Sequence, residues 1–259
     1  MEQSVLIEHD SAAGVLSLTL DRPQKRNALN LSLLHALRDA LLAAPQHPGA
    51  RALVLRGAGP AFCSGLDLVD TANVPHEAAD AVQDALLALA NCPLPTIAVV
   101  HGHAVAGGAG LVAACDFALM AEEAKIGYPE VKRGLVAALV SVFLRRQLRE
   151  RDLRELLLAG ELISATRAAA IGLVTRVAPL ASLDSEVHEL VGVLAGGGPE
   201  ALGATKHLLL TLAPSSLEDD CARALDAHRA ARDSAEAREG AAAFLEKRAP
   251  RWAAGQQAR

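Results

Sequence analysis

Apolar positions recur along this chain with two periods. Over 15–20, VLSLTL, they alternate with Ser and Thr, the period-two pattern of a half-buried strand. Over 31–44, LSLLHALRDALLAA, they return every three or four residues, and Asn30 stands where a helix N-cap belongs. The same reading predicts a strand over 50–59 running into glycine and a helix over 76–92. A third strand over 94–102 is entered through prolines, GAGLVAAC begins a third helix, and 116–123 forms a fourth strand. The stretch 135–160 is apolar, then charged, and predicts helix throughout; 163–179 predicts a short helix, a glycine stop and a strand. Strands alternating with helices indicate an α/β chain with parallel strands. After Pro179 the strand patterns stop and the remainder reads as helices, with no repeat of fixed period.

Composition narrows this picture. Of 259 residues 51% are hydrophobic but only 2% aromatic, so the core must be built from Ala, Leu and Val. Lys and Arg number 25 against 30 Asp and Glu, a net charge of −5, which argues against a nucleic-acid partner. Cys63, Cys92, Cys115 and Cys221 lack CxxC or metal-ligand spacing, which predicts reduced thiols and no metal site. The N-terminus MEQSVLIEHD has no basic region followed by an apolar block, and no apolar run suits a membrane span; a cytoplasmic protein is expected.

The candidate chemistry lies in HAVAGGAGLVAACD, His103 to Asp116. Glycine within a helix costs roughly 1 kcal/mol relative to alanine. Three of them here imply an unusual turn or a close approach. A helix N-terminus carries free N–H groups and partial positive charge, so Gly107 and Gly108 could admit a phosphate or an oxyanion. Gly108, Gly110 and Ala113 also match the dinucleotide fingerprint G-x-G-x-x-A, with Glu122 or Glu123 for the ribose, although several residues separate the preceding strand from the first glycine. A tight turn with close helix–strand packing is the third reading. The loop PAFCSGLDL (60–68) again follows a strand and carries a glycine, so two loops could each supply one backbone donor.

Taken together, FCSGLDL, HGHAVAGGAGLVAACD and IGYPEVKRGLV resemble the crotonase superfamily, the enoyl-CoA hydratase/isomerase group. The likeness extends over nearly the whole chain in the family's order: DRPQKRNALN is similar to its early CoA-contacting loop, LLLAGELISATRAAAIGLVTRVAP to the segment after the active site, and AAFLEKRAP to its C-terminal signature. The resemblance implies an α/β spiral of ββα turns over 1–197 and a helical region over 198–259 that builds a homotrimer or a dimer of trimers. It implies an acyl-CoA substrate, with coenzyme A entering as part of that substrate and no prosthetic group. The thioester oxygen would sit between the backbone N–H groups of Leu66 and Gly107. Glu130 takes the place of the family's second catalytic glutamate, where the bland alternative is a loop ion pair with Lys132 or Arg133.

The first glutamate of two-carboxylate hydratases falls on Gly110, which the resemblance implies is an emptied place in the pocket. The single-glutamate pattern is similar to bacterial enoyl-CoA hydratases. Δ3,Δ2-enoyl-CoA isomerisation, which needs one carboxylate, and a non-catalytic acyl-CoA-binding protein are the alternatives. Asp70, Glu77 and His103 are candidate replacements for the lost acid. For CoA the resemblance implies Lys25, Arg26 and Ala28 near the phosphates and pantetheine, Leu66, Asp67 and Leu68 on the adenine side, and Phe244 and Lys247 from the C-terminus. The charged run 145–155 reads as a solvated helix face.

Overall fold

A computed structural model describes residues 5–10, 13–212 and 216–251. Its main sheet begins with β1 (Val5–Asp10), antiparallel to β2 (Val15–Leu20). It continues in parallel through β3 (Ala52–Gly57), β4 (Thr96–Val100), β6 (Phe117–Ala121) and β9 (Arg176–Ala178). In β2 the alternation holds, with Leu16, Leu18 and Leu20 fully buried. β4 is TIAVV, buried at every position, as a central parallel strand covered on both faces must be.

A second, smaller sheet joins β5 (Ala104–Val105), β7 (Lys125–Gly127) and β8 (Leu162–Ser164). These strands are too short to leave a periodic signal. Isolated bridges Leu29–Leu66 and Cys63–Ala104 lie on the same route. Each turn of the chain therefore has a main-sheet strand, a short second strand or bridge, and then a helix. After β2 the helix is α1 (Leu31–Ala43), after β3 it is α2 (Pro75–Asn91), and after β4 and β5 it is α3 (Gly107–Ala114). Asn30 caps α1 as predicted, its Oδ1 accepting from Leu33 N at 3.0 Å. This winding is the expected spiral of ββα turns.

The helix predicted over 135–160 is interrupted. α4 (Ala138–Gln147) stops at the extended residue Leu148, α5 (Glu150–Arg154) follows, and a π-helical turn over Glu155–Ala159 ends at left-handed Gly160. Gln147 donates to the Ala113 carbonyl at 2.6 Å, and Leu148 is buried, so tertiary anchoring overrides local helix propensity. Nor is the run 145–155 simply a solvated face. Asp152 is buried and pairs with Arg149 and Arg167, while Arg146 pairs with Asp220. α6 (Ala165–Ala170) then leads into β9.

Beyond β9 all elements are helical, as expected: α7 (Leu183–Ala195), α8 (Pro199–Thr211), α9 (Leu217–Arg232) and α10 (Ala235–Leu245). α9 buries Leu217, Cys221, Ala224 and Leu225 in the common core, where it packs on α2 and α4. α10 lies against the turn at 129–133 so closely that a Cβ on Gly240 would overlap the Arg133 carbonyl. All four cysteines are buried and free. Among the described residues no helix is long and apolar enough to cross a membrane.

Candidate active site

The two glycine-bearing loops meet. Leu29 N donates to Gly65 O and Asp67 N to Leu29 O, both at 2.8 Å, so Leu66, between them, turns its own N–H to the opposite side. Gly107 opens α3, and the first N–H groups of a helix have no partner within it. A Cβ on Gly107 would stand 3.9 Å from Leu66 N, so the two residues lie side by side, and both line one cavity. Among the described residues neither N–H is donated to a protein acceptor. That arrangement is a ready receptacle for an oxygen that gains negative charge. Ala106 directs it. Its φ of 52° and ψ of −124° are unusual for a residue with a side chain, and its N–H is held by Gly127 O at 2.9 Å.

The adjacent glycines have other duties. A Cβ on Gly108 would stand 2.5 Å from the Cys63 carbonyl, so Gly108 lets the two loops touch rather than opening the site to ligand. A Cβ on Gly110 would stand 2.5 Å from Val140 Cγ1. The expectation of an emptied place at Gly110 is therefore corrected: the buried Val140 of α4 fills it. Because protein atoms back both glycines, the dinucleotide reading loses its basis, which was close approach by a pyrophosphate.

Glu130 lies in a 3-10 turn, Pro129–Arg133, started by proline and closed by left-handed Gly134. The turn is anchored by Tyr128, fully buried, whose hydroxyl donates to Ala109 O at 3.1 Å and so ties it to α3. Glu130 is half-buried, but its Oε2 is closed off from solvent and has no hydrogen-bond partner. Burial raises its pKa to about 7, against the opposing pull of its own backbone N–H and of the Arg133 charge. Glu130, Leu66 and Gly107 line one cavity of ≈80 Å³, otherwise walled largely by Leu, Val and Ala.

This cavity adjoins a broad cleft of ≈930 Å³, with Leu66, Leu68 and Arg133 common to both. Lys25, Arg26, Ala28, Asp67 and Phe244 line the cleft, so the predicted CoA residues are gathered there. Lys247 is exposed and is not among the cleft residues. Phe244 supports Arg133, whose guanidinium carbon lies 4.9 Å from the ring centre. The candidate replacement acids are elsewhere. Asp70 pairs with Arg22 at 2.9 Å, Glu77 is exposed on α2, and His103 faces the cleft and accepts from Lys125 N at 3.1 Å. A larger concavity of ≈1120 Å³ involving α4, α8 and α9 holds none of the predicted site residues.

Sequence reasoning missed three groups. Asn27, fully buried with φ 55°, donates to Ala58 O, Ala61 O and Phe62 O and accepts from Arg22 N, and so knits the early loop to the loop of Leu66. Burial would raise the Asp67 carboxyl, but the Asp70 N–H and the Arg22 charge outweigh it and hold it below the usual range. The other two are His228 and Arg232 of α9, which line the Glu130 cavity. Asn27 lies inside the quoted DRPQKRNALN; nothing in the local pattern marks the α9 pair as site residues.

Two backbone N–H groups without acceptors, a carboxyl oxygen closed off from solvent and an apolar cavity opening on a cleft lined by charged side chains form an arrangement suited to proton transfer beside a carbonyl. The comparisons give the family. The enoyl-CoA hydratase/isomerase family model matches residues 10–256. A provisionally named enoyl-CoA hydratase of Thermus thermophilus is 43% identical over 244 residues, which are 90% of this chain and 95% of that protein. The enoyl-CoA isomerase/hydratase of Mycosarcoma maydis is 35% identical over 265 residues, covering 94% and 95%. The crystal structure of an enoyl-CoA hydratase from Mycobacterium avium superposes with a TM-score of 0.88 at 35% identity, covering 97% of this chain and 100% of that one. The chain belongs to the enoyl-CoA hydratase/isomerase family, within the crotonase superfamily.

Proposed function

We propose that this protein is an enoyl-CoA hydratase in which Glu130 performs both proton transfers. The observation that carries the reading is the buried, unpartnered Oε2 of Glu130 in the same cavity as the Leu66 and Gly107 amides. The CoA portion of the substrate lies in the cleft of Lys25, Arg26, Ala28, Asp67 and Phe244, and the thioester oxygen between the two amides. Ionised Glu130 takes a proton from water as its oxygen bonds to C3 of the 2-enoyl group. The electron pair of the double bond moves onto the thioester oxygen as an enolate, which the two N–H groups stabilise. Protonated Glu130 then returns its proton to C2, and one water has been added. Each hole donor contributes about 3–4 kcal/mol in such sites. A pKa of about 7 lets both protonation states serve near neutral pH. Coenzyme A is part of the substrate and no further cofactor takes part.

One observation favours a second reading. Glu130 supplies the cavity's single carboxyl group. One carboxylate suffices to move a proton from C2 to C4 of a 3-enoyl thioester, which is isomerisation. Incubation with 2-enoyl- and 3-enoyl-CoA of several lengths, with products separated by chromatography, distinguishes the two. Hydration of 2-enoyl-CoA is expected, with Glu130→Gln lowering turnover by about 10²–10⁴-fold while CoA-thioester binding persists. Interconversion of double-bond isomers without a hydroxyacyl product would replace hydratase by isomerase. A Glu130→Gln protein of near-normal rate would remove Glu130 from the chemistry.

A further inference from the structure

Resting on the acyl-CoA reading above, we infer that the Glu130 cavity selects a short acyl chain ending in a carboxylate, which Arg232 and His228 bind. The two residues are one helical turn apart on α9, an i, i+4 pair that presents both side chains to one cavity wall. The rest of that wall is mainly apolar, from Leu68, Val82, Leu135 and Val140 among others. Among the described residues the Arg232 side chain makes no hydrogen bond or ion pair. His228 Nε2 is buried and has no partner.

The acids that could answer them are otherwise engaged. Asp80 pairs with Arg229, Asp233 pairs with His76 at 3.4 Å, and the cation acting on Glu130 is Arg133. The charges that act on His228 are all basic: after burial, Arg232, His76 and Arg229 lower its pKa, with a backbone hydrogen bond at Val136 opposing them. Burial likewise lowers the pKa of Arg232, with no carboxylate acting on it.

A partly buried guanidinium without a counter-charge is unfavourable, and burying it further beneath a hydrocarbon chain is worse. A carboxylate at the chain end reverses the sign: the fork of Arg232 matches it in a bidentate pair, and its negative charge favours the protonated His228 ring, whose Nε2–H then donates. The cavity also limits length. The space is small, ≈80 Å³, and opens on the larger cleft beside it, which suits a chain of few carbons over a long one.

The test compares two pairs matched in carbon number. The mono-CoA thioester of pent-2-enedioic acid and pent-2-enoyl-CoA are compared in turnover; glutaryl-CoA and pentanoyl-CoA are compared in calorimetric binding. The carboxylated member is expected to be favoured about tenfold or more in kcat/KM and in Kd. Arg232→Met should bring that ratio to near unity, and Arg232→Lys should keep part of it. Equal or better performance of the alkyl members overturns the inference, as does a preference that survives Arg232→Met. If no 2-enoyl-CoA of any length is hydrated, the hydratase reading fails and the two Kd values still decide this one; if neither saturated thioester binds, this inference falls. A change in oligomeric mass in Arg232→Met, with no carboxylate preference in the parent protein, assigns Arg232 to a subunit contact and overturns the inference as well.

Discussion

Glu130 shows how one side chain acquires its chemistry from its surroundings. Burial makes the charged form expensive, so the carboxyl holds its proton to about pH 7, and the nearby Arg133 charge limits the shift. In the proposed hydration the ionised form of Glu130 starts the cycle. Its fraction rises with pH through that value, so kcat/KM should climb by about tenfold per unit on the acid side and level off above it. Arg133→Met removes the charge that favours ionisation, and its acid limb should move to higher pH. A profile flat across the neutral range in the parent protein, or a limb moved to lower pH in the variant, would show that Glu130 does not govern the rate. Ala106 is the second residue-scale feature. Its positive φ costs on the order of 1–3 kcal/mol, and it sets the direction of the Gly107 N–H.

At the scale of elements, the close meeting of α3 and α4 explains the third glycine. Alanine is the better helix former by about 1 kcal/mol, so Gly110→Ala would stabilise an isolated helix. Within the fold its Cβ meets Val140 Cγ1 at 2.5 Å, and a β-branched side chain has little freedom to withdraw. Overpacking of this kind costs about 1–3 kcal/mol, so urea unfolding of Gly110→Ala should show a net loss. Val140→Ala leaves a void of its own, yet the double variant should be more stable than the sum of the single losses predicts, because each change relieves the other. A neutral or stabilising Gly110→Ala would mean that α3 and α4 part freely. The same contact makes Gly110→Glu a poor route to a two-carboxylate site.

For the whole molecule, the C-terminal helices divide their work. α9 and α10 fold back on the spiral, one closing the Glu130 cavity and the other supporting the Glu130 turn. α8 buries none of its residues in its own chain, although Lys206 pairs with Asp116 at 2.7 Å. Leu208 and Leu209 on it and Leu212 just past its end remain 53%, 67% and 70% exposed. Apolar groups clustered on one helix are more stable against a second copy than against water. A trimer or a dimer of trimers is expected in light scattering at micromolar concentration, and Leu209→Asp should shift it toward smaller species. A stable monomer of the parent protein would contradict this assembly.

The order of the elements was legible in the sequence, because a strand or helix with one face in the core repeats apolar residues at its own period. VLSLTL and the Asn30-capped helix behave as their patterns predict, and the ordered motifs indicate the superfamily and single out Glu130. The lengths of β5, β7 and β8 and the break at Leu148 were not legible, since two- or three-residue strands have no period and the break answers to packing against another helix. The site was legible only in part. The Leu66 and Gly107 loops can be located from their glycines. That Val140 occupies the space beside Gly110, that Asn27 knits two loops together, and that His228 and Arg232 reach the cavity of Glu130 are relations between distant parts of the chain. Local pattern is determined by which neighbours along the chain share a face; burial, charge compensation and the shape of a cavity are determined by which strangers in sequence meet, and only the tertiary structure decides that.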